Sequence, residues 1–138
     1  MKISPLILRR VSVGLLGTLF VIAGILHFIH TAVFVRIMPP WLPQALLLVY
    51  VSGVCEVIGG IGILIPAFRK LAGLGLIALL LAVFPANVHM ALNHQEFSSI
   101  PAAFLWIRLP MQFVIIAWVW WSSCAGGQVS KDVKIGGD

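Results

Sequence analysis

Residues 51–62 read VSGVCEVIGGIG and place one carboxylate, Glu56, in the middle of an apolar, glycine-rich run. At about 100° per residue, Ser52, Gly53, Cys55, Glu56, Gly59, Gly60 and Gly62 fall on one half of a helix. Val51, Val54, Val57, Ile58 and Ile61 fall on the other. A small face that lets neighbouring backbones approach, opposed to a bulky face for lipid, is the pattern of a membrane helix. Glu56 is therefore expected to point into a helix bundle, where an intramembrane carboxylate marks a functional site.

The composition agrees with that reading. The chain has 138 residues, 61% of them hydrophobic and 9% charged, and its mean hydropathy is +1.10. Soluble domains carry about a quarter charged residues, so the expected class is an integral membrane protein. At roughly 20 residues per span, the length allows one domain of about four or five spans. The net charge of +5 does not point to nucleic acid, because the basic residues sit singly or in pairs beside apolar runs and form no patch. Cys55 and Cys124 form no CxxC pair, which argues against a dithiol couple or a zinc site. The basic start and apolar run at the N-terminus continue to Ile29 without a small-residue cleavage site, so the run reads as a retained first span.

Outward from Glu56, the expected fold is an all-α, integral membrane four-helix bundle. Residues 1–124 form the bundle, with spans at about 11–29, 44–65, 71–92 and 102–121, and residues 125–138 form a flexible cytoplasmic tail. The loop FVRIMPPWLP (34–43) carries Pro39, Pro40 and Pro43, which stop a helix, and suits an interfacial segment. A polar loop, NHQEFSSIP (93–101), precedes the fourth span, and its His94 and Glu96 read as solvated. Lys2, Arg9, Arg10, Arg69, Lys70, Lys131 and Lys134 collect on one side, against Arg36 and Arg108 on the other. The positive-inside rule then puts both termini in the cytoplasm, as an even number of spans requires. Trp41 and Trp106 should mark the outer interface, and Trp118, Trp120 and Trp121 the inner one.

On this topology the intramembrane polar groups crowd the outer half of the bundle: His27 and His30 on span 1, Asn87 and His89 on span 3, Arg108 and Gln112 on span 4. Glu56 lies roughly 15 to 18 Å in from the start of span 2. Small residues face neighbours, so His27, on the side of Gly17 and Gly24, should face inward. His89 should do the same, on the side of Gly75, Ala78, Ala82 and Pro85. Asn87 falls about 160° from His89 on a regular helix and has no clear place. Pro85 cannot donate to the Leu81 carbonyl, which is left free for another partner.

Glu56 has two readings that can both hold: a ligand or proton site, or a structural ion pair with Arg108 that docks spans 2 and 4. His27 and His30 have the alternative of being interfacial anchors. A metal or haem site would draw on His27, His30, Glu56 and His89.

The segments AGILHFIHTAVFVRIMPPWLP (23–43), VYVSGVCEVIGGIGILIP (49–66) and VFPANVHMAL (83–92) resemble, in order and spacing, the DoxX family of small bacterial membrane proteins, within the group that includes DoxD and MauE. The resemblance covers about half the chain and implies a four-helix membrane bundle whose matching polar positions are His27, Glu56, Asn87 and His89. It also implies a redox setting: some relatives are subunits of quinone-linked oxidising systems, and others resemble assembly or maturation factors. Thiol chemistry of the kind linked to certain relatives is not expected here, for want of paired cysteines.

The leading expectation is a redox-associated subunit of the bacterial cytoplasmic (inner) membrane that binds a quinone or similar lipophilic ligand. His27 or His89 would donate hydrogen bonds, Glu56 would take protons, Asn87 would contact the ligand, and Arg108 would hold Glu56 ionised. The alternative is a non-catalytic chaperone or scaffold, and the third reading is the metal or haem protein. Whether the chain is itself an enzyme stays open. Expected partners are membrane lipid and a redox complex or maturing membrane protein, with a homo-oligomer also open and no nucleic acid.

Overall fold

Apolar runs bounded by proline, by loop residues and by basic pairs fold as helices throughout, and no strand occurs among the described residues. The computed structural model describes residues 4–125. The helices are α1 (Pro5–Ile29), α2 (Thr31–Ile37), α3 (Ala45–Leu64), α4 (Arg69–Leu92) and α5 (Ala102–Ser123), with a 3₁₀ turn at His94–Phe97. The architecture is all-α, and α1, α3, α4 and α5 are long and apolar enough to cross a membrane. They form an antiparallel bundle in the spatial order α1, α3, α4, α5, in which α1 packs along α3 and meets α5 mainly at the end where Arg9 Nε donates to the Ser122 carbonyl. One end of the bundle carries α2 and the 3₁₀ turn; the other carries the start of α1 and the end of α5. The tail expected at 125–138 lies outside the described residues from residue 126 onward.

Glycines set the α1–α3 packing. A Cβ on Gly24 would stand 2.6 Å from the carbonyl oxygen of Gly53, and one on Gly60 would stand 2.8 Å from that of Gly17. Gly17 and Gly24 are seven residues apart, as are Gly53 and Gly60, so both close approaches fall on one heptad-spaced seam of two antiparallel helices. The face expected on α3 is largely found: Gly53, Glu56, Gly59 and Gly60 are buried, and Val51, Val54, Ile58 and Ile61 are exposed. Cys55 and Val57 depart from it: Cys55 is exposed, and Val57 is half-buried against Gly24 of α1.

The bundle is closed by small apolar clusters at its two ends. Leu16, Phe20, Ile63, Leu76 and Val119 pack together toward the end that carries the start of α1. Met90, Ala91, Phe97 and Leu105 pack at the α2 end. The polar segment 93–101 is thus more than a solvated loop: its 3₁₀ turn inserts Phe97 between α4 and α5, and His94 Nδ1 is buried without a hydrogen-bond partner. Glu96 is exposed, as expected. Likewise the segment expected as a loop after span 1 stays helical through Ile37 and breaks at Pro39 and Pro40. Arg69 donates from Nε to the Ile63 carbonyl at 2.9 Å, satisfying one of the orphan acceptors at the end of α3.

Candidate functional site

Between α1, α3, α4 and α5 lies a cavity of about 650 Å³, within the range of small-molecule sites. His27, Ser52, Glu56, Asn87, Arg108 and Gln112 supply its polar groups, and the rest of the lining is apolar. The polar groups lie toward the α2 end. Leu16, Phe20, Leu79, Ile115 and Trp118 line the opposite part, so the cavity changes from polar to apolar along its length. The loop after α2 closes the polar end with Met38 and Leu42.

His27 and Glu56 meet across the glycine seam. The His27 Nδ1 lies 3.5 Å from Glu56 Oε2 and 2.9 Å from the Ala23 carbonyl oxygen. A carbonyl only accepts, so Nδ1 carries the hydrogen in that bond. Glu56 Oε2 is buried without a hydrogen-bond partner among the described residues. Phe34 of α2 stacks over the imidazole, with ring centroids 3.9 Å apart, and holds its plane. Thr31 Oγ1 donates to the His27 carbonyl at 2.8 Å and ties down the last turn of α1.

On the opposite wall, Asn87 Nδ2 donates to Gln112 Oε1 at 2.6 Å, and Gln112 Nε2 donates to the Leu80 carbonyl. Gln112 therefore clamps α5 to α4 one turn from Pro85. The carbonyl that receives this side chain is that of Leu80, next to the Leu81 carbonyl to which Pro85 cannot donate. Arg108 also lines the cavity, and its Nη1 donates to Met90 Sδ at 3.4 Å.

The residues proposed from sequence separate into two groups. His27, Glu56, Asn87 and Arg108 line the same cavity. His89 does not: it lines a separate cleft of about 340 Å³ with Pro39, Trp41, Phe84 and Pro85, and its Nδ1 is buried there without a hydrogen-bond partner among the described residues. Its placement inward followed from the small residues on its side of the helix. Gly75, on that side, has nothing within 4 Å of an added Cβ, whereas Gly73 meets Ser123 and Val119 of α5. The inward face of α4 is that of Gly73, Leu76 and Asn87, which resolves the place of Asn87. The ion pair between Glu56 and Arg108 is not formed, for among the described residues only His27 is within 4.0 Å of a carboxylate. The four metal donors do not gather either: His30 is exposed at the end of α1 and His89 sits in the other cleft. Among the described residues no three His, Cys, Asp or Glu side chains form a metal-binding group.

Three contributors were not proposed as site residues: Phe34, hidden in a segment without helical periodicity, Ser52, read as part of the small face of α3, and Gln112, whose signal was an amide inside an apolar span. Trp118, expected in an interfacial belt, lines the cavity, while Trp41, Trp106, Trp120 and Trp121 are exposed on the bundle surface.

No curated protein and no solved structure matches this chain. A family model described as a domain of unknown function, DUF8561, matches residues 16–123, and the chain belongs to that family.

Proposed function

We propose that this chain is a multi-pass protein of the bacterial cytoplasmic membrane that takes a quinone or similar lipophilic ligand from the bilayer and holds it between α1, α3, α4 and α5. The observation that carries this reading is the lengthwise polarity of the cavity, with hydrogen-bonding groups toward the α2 end and apolar walls beyond. A quinone is divided the same way, into a ring with carbonyl acceptors and an apolar tail. Arg108 and Ser52 are donors available to such a head, and Glu56 beside His27 is placed to accept a proton when a quinol is oxidised. Released electrons would pass to a partner enzyme, which makes the chain a redox-associated subunit, in keeping with its resemblance to the DoxX family. The charge bias puts Arg9, Arg10, Arg69 and Lys70 at one end of the bundle, which supports cytoplasmic termini and a polar cavity end toward the periplasm.

The test is to purify the protein in mild detergent, extract it with organic solvent and quantify quinone and other lipophiles by mass spectrometry. About one lipophile per chain is expected, lost from an Ala86→Trp variant that fills the cavity. An extract without any retained lipophile, or with the same content in Ala86→Trp, would overturn the reading.

The scaffold reading is favoured by a different observation: α1 packs far less on α5 than on α3, which leaves room along their seam for a partner helix. A stoichiometric protein partner copurifying without a small ligand would bring that reading forward.

A further inference from the structure

The cavity holds a cation without a counter-ion among the described residues. Arg108 lines it, and its hydrogen bond to a side chain goes to the thioether of Met90, a weak acceptor. The described residues include two carboxylates, Glu56 and Glu96. Glu56 faces His27, and Glu96 is exposed on the 3₁₀ turn at the α2 end. Neither lies within 4.0 Å of the Arg108 guanidinium. A guanidinium stays charged in proteins, and a charge at membrane depth is costly until something compensates it.

The surroundings say what shape that compensation takes. From Arg108 to Trp118 the α5 wall runs about 15 Å, at 1.5 Å per residue. Met111 and Ile115 lie along it, and Leu79 and Leu80 face it from α4. Leu19 and Leu26 of α1 and Met111 of α5 line the cavity and are also exposed on the bundle surface, so the space opens sideways along the α1–α5 seam. We infer that the cavity selects amphiphiles with an anionic head, a carboxylate or phosphate held by Arg108, whose apolar tail lies toward Trp118. Guanidinium is suited to this because its donor fork matches both oxyanions. The inference rests on the reading that the cavity takes a lipophile from the bilayer. It adds a preference among such ligands: acidic heads are held more tightly than neutral ones of the same length, quinones included.

The experiment uses the full chain in detergent and three probes brominated at the terminal carbon: dodecanoate, dodecyl phosphate and dodecanol. Binding is read as tryptophan quenching, with the cavity component identified by its loss in Trp118→Phe. The acidic probes should bind about tenfold or more tighter than the alcohol, as expected for a charge-assisted hydrogen bond. Arg108→Gln should reduce that preference to about threefold or less, and Arg108→Lys should retain most of it. Mass spectrometry of the protein as purified then tells a free fatty acid from a phospholipid as the source of the anion.

Equal binding of alcohol and acids, or an unchanged preference in Arg108→Gln, would overturn the inference and leave the cavity reading intact. Absence of quenching at Trp118 by any probe would overturn both. Should Arg108→Gln not fold, the comparison of the three heads on the unmodified chain decides alone.

Discussion

His27 and Glu56 face one another across the α1–α3 interface at 3.5 Å because Gly53 leaves room for the histidine. A Cβ on Gly53 would stand 2.8 Å from the Cβ of His27. Backbone approach, set by residue size, thus places a histidine beside a buried carboxylate that has no other partner on its Oε2. The pair is a product of packing, and its chemistry follows from the space that packing leaves open.

Glu56→Gln is expected to fold with a stability within about 1 kcal/mol of the unmodified chain, since the amide keeps the shape and hydrogen-bonding capacity of the acid. It should lower ligand retention about tenfold or more. His27→Gln should share that phenotype and His89→Ala should not, because His89 lies in the separate cleft. Thermal melting and extractable ligand measured on all three variants check this; loss of ligand from His89→Ala alone would reverse the assignment.

Gly24→Ala should destabilise the bundle by about 1 to 3 kcal/mol, since its Cβ meets backbone that cannot yield as a side chain would. Gly75→Ala has open space around it and should gain up to about 1 kcal/mol from helix propensity. Melting temperatures of the two variants in detergent should move in opposite directions, and parallel shifts would count against the glycine seam.

Gln112→Leu removes the clamp between α4 and α5 and leaves Asn87 Nδ2 and the Leu80 carbonyl without this partner. A loss of about 1 to 3 kcal/mol is expected. Asn87→Leu combined with Gln112→Leu should cost less than the sum of the single changes, because neither amide is then left stranded. A double-mutant cycle on thermal or denaturant stability measures the coupling, and additive losses would mean the two amides do not act together.

A reporter fused after Lys134 should read cytoplasmic and one inserted at Ser98 periplasmic, as the distribution of basic residues requires. Protease or alkaline phosphatase accessibility in intact cells gives the sign directly. The reverse pattern would turn the polar end of the cavity toward the cytoplasm.

The sequence by itself determined the class, the four apolar helices and the inward face of α3. Length and hydropathy mark each span, and repeated glycines opposite repeated Val and Ile mark a packed face by size. It also determined that Glu56 needed a reason to be buried. Only the tertiary structure decided which polar side chains share a cavity. Lipid accepts apolar residues on either side of a helix, so hydropathy does not tell an inward face from an outward one on α4, and its small residues occur on both. The register of α4 against α5, set where Gly73 packs on Ser123 and Gln112 reaches Leu80, turned Asn87 inward and His89 away. Helix order around the bundle likewise holds α3 and α5 apart, so the ion pair of Glu56 with Arg108 that the sequence allowed is not formed, and it put Phe34 over His27 from a segment that carries no periodic signal.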